Sequence, residues 1–222
     1  MSPPEVIVFD LDGTLVDSLP GIVRATREAV EAHLGRRATA VTPAAVRAMV
    51  GDGAIALLHR AFAAEGAELP AGALGTWRAA YGRNAPTGTE PLPGARTLLP
   101  ALRAAGFGLG LCTNKPHAAT LTLLADLGWQ DAFDSIRGAG AAPADKPDPR
   151  HLLAVLRELG ARPDTAWFIG DSATDAATGV AAGVHTVLLR HGYSRQPVDT
   201  LPADMHLDDL LALSGALGVR LH

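Results

Sequence analysis

Val6-Ile7-Val8-Phe9 is a continuous apolar run, rich in β-branched side chains, that ends abruptly in Asp10-Leu11-Asp12-Gly13. A strand that is apolar at successive positions must be covered on both faces, the situation of a strand inside a parallel sheet flanked by helices. Three later runs resemble it: Phe107 to Cys112, Ala166 to Ile169 and Val184 to Leu189, each followed by a polar or glycine-containing loop. Helical patterns lie between them. Leu152, Val155, Leu156 and Leu159 form an i, i+3, i+4, i+7 stripe, with Pro149 at its start and Gly160 where it stops. Leu121, Leu124 and Ala125 form a similar stripe after Pro116, and Ala95 to Ala105 runs from Pro93-Gly94 to Gly106. Strands alternating with helices predict an α/β fold with a Rossmann-like, mainly parallel sheet.

Between Ser18 and Thr87 the pattern changes. No strand signal appears, and alanine, leucine and arginine periodicities predict three or four helices. The expected organisation is an α/β core from 1–17 and 88–222 with an inserted α-helical cap domain over 18–87. Asp17-Ser18 is the expected exit hinge and helix cap, and Asn84 to Thr89 the expected return hinge.

Composition narrows the partners. The chain of 222 residues carries a formal charge of −4 and 48% hydrophobic residues. It offers no broad positive field for nucleic acid or an anionic membrane, so an anionic partner must be small and locally bound. The single cysteine, Cys112, cannot form an intramolecular disulfide and reads as a small buried hydrophobe. With no export signal or ~20-residue apolar span, the cytoplasm is the expected compartment. A monomer or homodimer is expected. Of 19 basic residues only two are lysines, Lys115 and Lys146, each followed by proline.

Asp10 and Asp12 stand at the end of the first strand, where α/β sheets bind ligands. Two acids there can divide labour, one as ionised nucleophile and metal ligand, the other giving and taking a proton, if their environments separate their pKa values. A bare Asp-X-Asp is more often a turn. Here it sits in Phe9-Asp10-Leu11-Asp12-Gly13-Thr14-Leu15-Val16-Asp17-Ser18. That string is followed in order by Leu111-Cys112-Thr113-Asn114-Lys115-Pro116, Lys146-Pro147-Asp148-Pro149 and Phe168-Ile169-Gly170-Asp171-Ser172-Ala173-Thr174-Asp175. The set resembles the motifs of the haloacid dehalogenase superfamily over nearly the whole chain.

The resemblance implies a phosphatase in which Asp10 attacks phosphorus and Asp12 serves as general acid and base. Thr113 would bind a phosphate oxygen with Asn114 beside it, and Lys146 would offset charge. Asp10, Asp171 and the main-chain carbonyl of Asp12 would surround Mg²⁺, with Asp175 binding it directly or through water or orienting its neighbours. Lys115 is either a second charge near the site or a solvated residue at a helix start. Within the superfamily the best resemblance is to phosphoglycolate phosphatases, through the placement of the cap, Pro91-Leu92-Pro93-Gly94 and Gly192-Tyr193. In the cap, Gly51 and Gly53 before a helix and Arg60 within it either bind a substrate anion or form an ordinary capped helix with an exposed arginine. The expected substrate is a small phosphate monoester, 2-phosphoglycolate first. An amino-sugar 6-phosphate, pyrophosphate, a mutase reaction and a non-catalytic phosphate-binding protein are the rivals. Asp52, Ser194 and Gly140 depart from the family pattern and bear on substrate choice.

Overall fold

The computed structural model describes residues 4–51, 53–84 and 88–221. β1 (Val6–Phe9) is the pivot of a six-stranded parallel sheet. The other strands are β4 (Gly108–Pro116), β5 (Ser135–Ala139), β6 (Ala166–Gly170), β7 (His185–Leu189) and β8 (Met205–Leu207), in the order β5-β4-β1-β6-β7-β8. From β1 the chain first builds outward through β4 and β5, then returns to add β6, β7 and β8 on the other side. That reversal makes the carboxyl end of β1 the topological switch point, the place where open α/β sheets form a crevice. Phe9 is level with Leu111 and with Ile169. One residue further on, the register brings Asp10 to the end of the sheet, and two residues on it brings Thr113 and Asp171.

The burial of both faces follows from the apolar runs. Ile7 and Phe9 join Leu109, Leu111, Trp167 and Ile169 in one core, which α5 (Ala95–Ala104), α6 (His117–Asp126) and α9 (Leu210–Ala216) help to cover. Val6 and Val8 point the other way, into a core with Phe168, Cys112, Leu152, Val155 and Leu156. The last three of these lie on α7 (Pro149–Glu158), and α8 (Ala173–Ala182) adds Ala182 to the same core. Asp148 caps α7, accepting the Arg150 N–H, and Pro149 occupies the first turn, where its missing N–H costs nothing. A Cβ on Gly110 would meet Val155 Cγ1 at 2.6 Å, so this glycine serves close packing inside β4.

The chain divides into two units, one comprising Met1–Val16 and Pro91–His222, the other Asp17–Glu90. The division falls one residue before and three residues after the boundaries expected from sequence. Short strands β2 (Val16–Asp17) and β3 (Glu90–Pro91) pair where the chain leaves and returns. The described part of the second unit holds α1 (Leu19–Leu34), α2 (Pro43–Arg47), α3 (Ala54–Ala64) and α4 (Ala73–Asn84). Trp77 stacks on Tyr81 at 4.7 Å and donates to Thr26 Oγ1, tying α4 to α1. Ser18 makes no side-chain cap on α1; Asp17 Oδ1 accepts the Leu19 N–H instead, at 3.0 Å. Most of the expected return hinge, residues 85–87, and Asp52 lie outside the described residues. Among the described residues no helix is long and apolar enough to cross a membrane.

Candidate active site

Asp10 leaves the end of β1 with its N–H still bonded to the Ile169 carbonyl at 2.8 Å, so the sheet itself sets its position. Lys146 arrives from the segment before α7 and places Nζ 2.8 Å from Asp10 Oδ1 and 2.7 Å from Asp175 Oδ1. The ammonium is buried, and it also lies 5.5 Å from the centroid of Phe168. Burial alone would lower its pKa; the facing charges of Asp10 and Asp175 outweigh this and hold it firmly protonated. A cation that stays charged in a dry site attracts a developing negative charge more strongly than it would in water.

Asp175 does two jobs. Its Oδ2 accepts from the N–H groups of Asp171 and Ser172 and from Ser172 Oγ, while Ser172 Oγ accepts the Asp175 N–H. This capping box starts α8, and it fixes the carboxylate so that Oδ1 faces Lys146. One carboxylate thus both caps α8 and pairs with Lys146.

Asp171 is held from two sides. Its Oδ1 accepts from Thr14 Oγ1 at 2.8 Å and its Oδ2 from the Tyr193 N–H at 2.6 Å. Gly13 and Gly192 wall it in: a Cβ at either would come within 2.5 Å and 2.1 Å of Asp171 Oδ2, and Gly13 also has φ near 89°. Both glycines are required by this close approach, and Gly13 by its backbone conformation as well.

Among the described residues, Asp10, Asp171 and Asp175 each offer an oxygen within 4.8 Å of the others. Burial raises the pKa of Asp10 to about 6 against the pull of Lys146, with repulsion from Asp175 and Asp12 adding to the rise. Burial, then Asp175 and Asp10, raise Asp171 well above the usual carboxylate range. Crowded acids whose ionisation is opposed by their surroundings are what a divalent cation would relieve, and an all-oxygen donor set suits a hard ion. The residues fit such an ion, with a qualification to the sequence assignment. Asp171 and Asp175 each have both oxygens engaged by protein donors, and the Asp12 side chain lies outside the cluster, with its Oδ1 on Lys115.

The end of β4 carries three polar residues with three different partners. Thr113 is buried, and its Oγ1 accepts the Lys115 N–H at 3.2 Å, which orients the hydroxyl and leaves its proton to donate. Asn114, expected to bind phosphate, has its amide turned to the main chain of Lys146: Nδ2 donates to the carbonyl at 2.8 Å and Oδ1 accepts the N–H at 2.9 Å. It frames Lys146. Lys115 is no solvated helix residue; its side chain is buried and its Nζ reaches Asp12 Oδ1 at 2.8 Å.

In the second unit, Gly53 is the N-cap residue of α3 with φ 86°, and Gly51 has φ 122°. Arg60 donates from Nη1 to the Met49 carbonyl at 2.7 Å, a bond that ties α3 to the segment after α2. Cys112 is fully buried and its thiol is pushed up by burial, as befits a packing residue.

The sequence pattern of the haloacid dehalogenase-like hydrolases matches residues 4–183. The chain belongs to the haloacid dehalogenase-like hydrolases. The phosphoglycolate phosphatase of Rhodospirillum rubrum is 42% identical over 224 residues, covering 97% of this chain and 91% of the relative. That of Caulobacter vibrioides is 39% identical over 210 residues, covering 92% of this chain and 87% of its own. A crystal structure described as a predicted phosphoglycolate phosphatase from Haemophilus somnus superposes with a TM-score of 0.86 at 27% identity, covering 97% of this chain and 99% of that one. Three contributors to this hydrolase's site had no role in the sequence reading: Thr14, Ser172 and the Tyr193 N–H. Thr14 and Ser172 lie inside quoted motifs, where a hydroxyl beside an acid is the available signal; a main-chain N–H leaves none.

Proposed function

We propose that this hydrolase is a phosphatase that cleaves a small phosphate monoester through a covalent aspartyl phosphate on Asp10, with 2-phosphoglycolate as substrate. The observation that carries the reading is the separation of the two acids of the first motif. Asp10 lies against Lys146 within the buried carboxylate cluster, whereas Asp12 lies outside it against Lys115. Different surroundings let one act as nucleophile and the other as proton carrier.

A carboxylate oxygen of Asp10 attacks phosphorus, and the bond from phosphorus to the ester oxygen breaks. Asp12 gives its proton to the departing oxygen. In the second step Asp12 takes a proton from water, whose oxygen displaces Asp10 and releases inorganic phosphate. Lys146, kept charged by Asp10 and Asp175, offsets negative charge on the phosphoryl group, and the Thr113 hydroxyl donates to one of its oxygens. Asp10, Asp171, Asp175 and the Asp12 carbonyl are the groups that would hold Mg²⁺, which would neutralise charge on the nucleophile and on a phosphate dianion.

The identity of the relatives supports 2-phosphoglycolate, since phosphoglycolate phosphatases match at 42% and 39% over nearly the whole chain. Phosphate release from 2-phosphoglycolate, sugar phosphates, an aryl phosphate and pyrophosphate, each with Mg²⁺ and with chelator, tests both levels. The reading expects 2-phosphoglycolate to lead in kcat/KM and chelator to stop turnover. Another leading substrate overturns the substrate assignment alone; no turnover of any of them overturns the phosphatase.

A further inference from the structure

The chain has only two lysines among 19 basic residues, and each contacts one acid of the first motif. Lys146 takes Asp10. Lys115 takes Asp12, across 103 residues of sequence, at 2.8 Å. The Lys115 side chain is 0% exposed and that of Asp12 17% exposed. An ammonium that leaves water entirely is costly to bury, and a carboxylate at contact distance offsets that cost only while it holds its position. The Asp12 carboxylate is therefore held at Oδ1 while the side chain keeps some exposure to solvent.

The Lys115 main chain is itself constrained. Its N–H donates to Thr113 Oγ1, and its carbonyl packs against β5, where a Cβ on Gly138 would come within 2.7 Å of it. β4 extends through this segment to Pro116, with its register against β5 shifting between Cys112 and Pro116, so Lys115 lies in an irregular strand end whose main chain is held at both its N–H and its carbonyl. With its stem fully buried, this ammonium is suited to fixing a partner's orientation.

We propose that Lys115 is the positioning residue of the general acid Asp12, holding Oδ1 so that Oδ2 is the oxygen that carries the proton. This rests on the phosphatase reading and assigns Lys115 to the acid instead of to the substrate phosphate. The proton leaves Oδ2 for the ester oxygen as the phosphorus bond to that oxygen breaks, and Oδ2 takes a proton back from the attacking water. Lys115 keeps its own protons throughout.

The test is Lys115→Met in the Mg²⁺-loaded protein, compared with wild type on 2-phosphoglycolate and on p-nitrophenyl phosphate. An alkyl leaving oxygen needs its proton; nitrophenolate does not. Because kcat/KM reports the steps through departure of the leaving group, the variant is expected to lose about 100-fold on the alkyl ester and less than about 5-fold on the aryl ester, the scale of general acid catalysis. The hydrolysis of the aspartyl phosphate is common to both substrates and also uses Asp12, so a burst of one equivalent of p-nitrophenol is expected from the variant. Equal proportional losses on the two esters with no burst overturn the proposal in favour of a phosphate ligand. So does a further loss on the alkyl ester when Lys115→Met is added to Asp12→Asn.

Lys115→Gln, which keeps a polar tip for Oδ1, is expected to recover part of the alkyl rate lost in Lys115→Met; no recovery counts against positioning. If neither variant folds, a crystal structure of the wild-type chain decides: an Asp12 that turns away from Lys115 overturns the proposal. Wild-type protein that releases no phosphate from either ester overturns the phosphatase reading, and this assignment falls with it. Wild-type turnover with equal losses removes the Lys115 assignment alone.

Discussion

Replacing Asp10, the proposed nucleophile, should make the metal-free protein more stable. Asp10 is buried among carboxylates, and its pKa rises from the ordinary 3.8 to about 6 on folding even with Lys146 in contact. A carboxyl whose folded value lies above its unfolded value binds its proton more tightly when folded, so ionising it opposes folding. The cost is absent below the unfolded value, grows between about pH 4 and 6, and is complete above the folded value. The interval from 3.8 to about 6 corresponds to about 3 kcal/mol at pH 7.5. At pH 5 about half of this remains, and at pH 4 less than about 1 kcal/mol.

Asp10→Asn has nearly the shape of the protonated acid and leaves Lys146 paired with Asp175. With chelator present, urea unfolding should therefore show the variant more stable by about 1–3 kcal/mol at pH 7.5, the gain shrinking as pH falls to 4. Turnover should be abolished in the same variant. A variant no more stable than wild type at pH 7.5, or a gain that is the same at pH 4, refutes the assignment of this cost to the Asp10 charge. A gain that disappears when Mg²⁺ is added to both proteins would tie the cost to an empty cation site, where stability has been exchanged for activity.

Asp175→Ala removes the partner of Lys146 and the capping box of α8 together; it should cost about 2–5 kcal/mol in urea unfolding and lower kcat by about 100-fold or more. A loss of stability with kcat intact would restrict Asp175 to its capping role. Mg²⁺ should raise the Tm of wild type more at pH 7.5 than at pH 5, because protons compete for Asp10 and Asp171, both of which titrate above the usual range. In Asp171→Asn the rise should largely vanish, and a full rise there would place the ion elsewhere. Arg60→Ala, which removes the bond to the Met49 carbonyl, should cost about 1–2 kcal/mol and lower kcat/KM equally for 2-phosphoglycolate and an aryl phosphate. A loss confined to 2-phosphoglycolate would instead make Arg60 a carboxylate ligand.

The strands that matter most to the site were legible because they are buried on both faces. Val6 to Phe9 and Ala166 to Ile169 read as continuous apolar runs, and the polar residues that follow them mark the end of the sheet. β5 and β8 are not legible in the sequence. Ser135 to Ala139 and Met205 to Leu207 are edge strands with half-buried side chains, so neither an unbroken apolar run nor a clean alternation forms. The apolar run of β4 ends at Cys112 but the strand continues to Pro116, its register against β5 shifting on the way, which puts Lys115 at a strand end and not at the start of a helix.

Local sequence determined which chemical groups stand at the carboxyl ends of β1, β4 and β6, because parallel register carries them there once the strands are placed. It also determined the caps of α7 and α8, whose donors and acceptors lie within a few residues of one another. Only the tertiary structure decided how those groups divide the work. Asn114 meets Lys146 across 32 residues and Lys115 meets Asp12 across 103. Side chains adjacent in sequence at a strand end point to different neighbours, and which neighbour each one meets depends on the order in which the sheet assembles its strands.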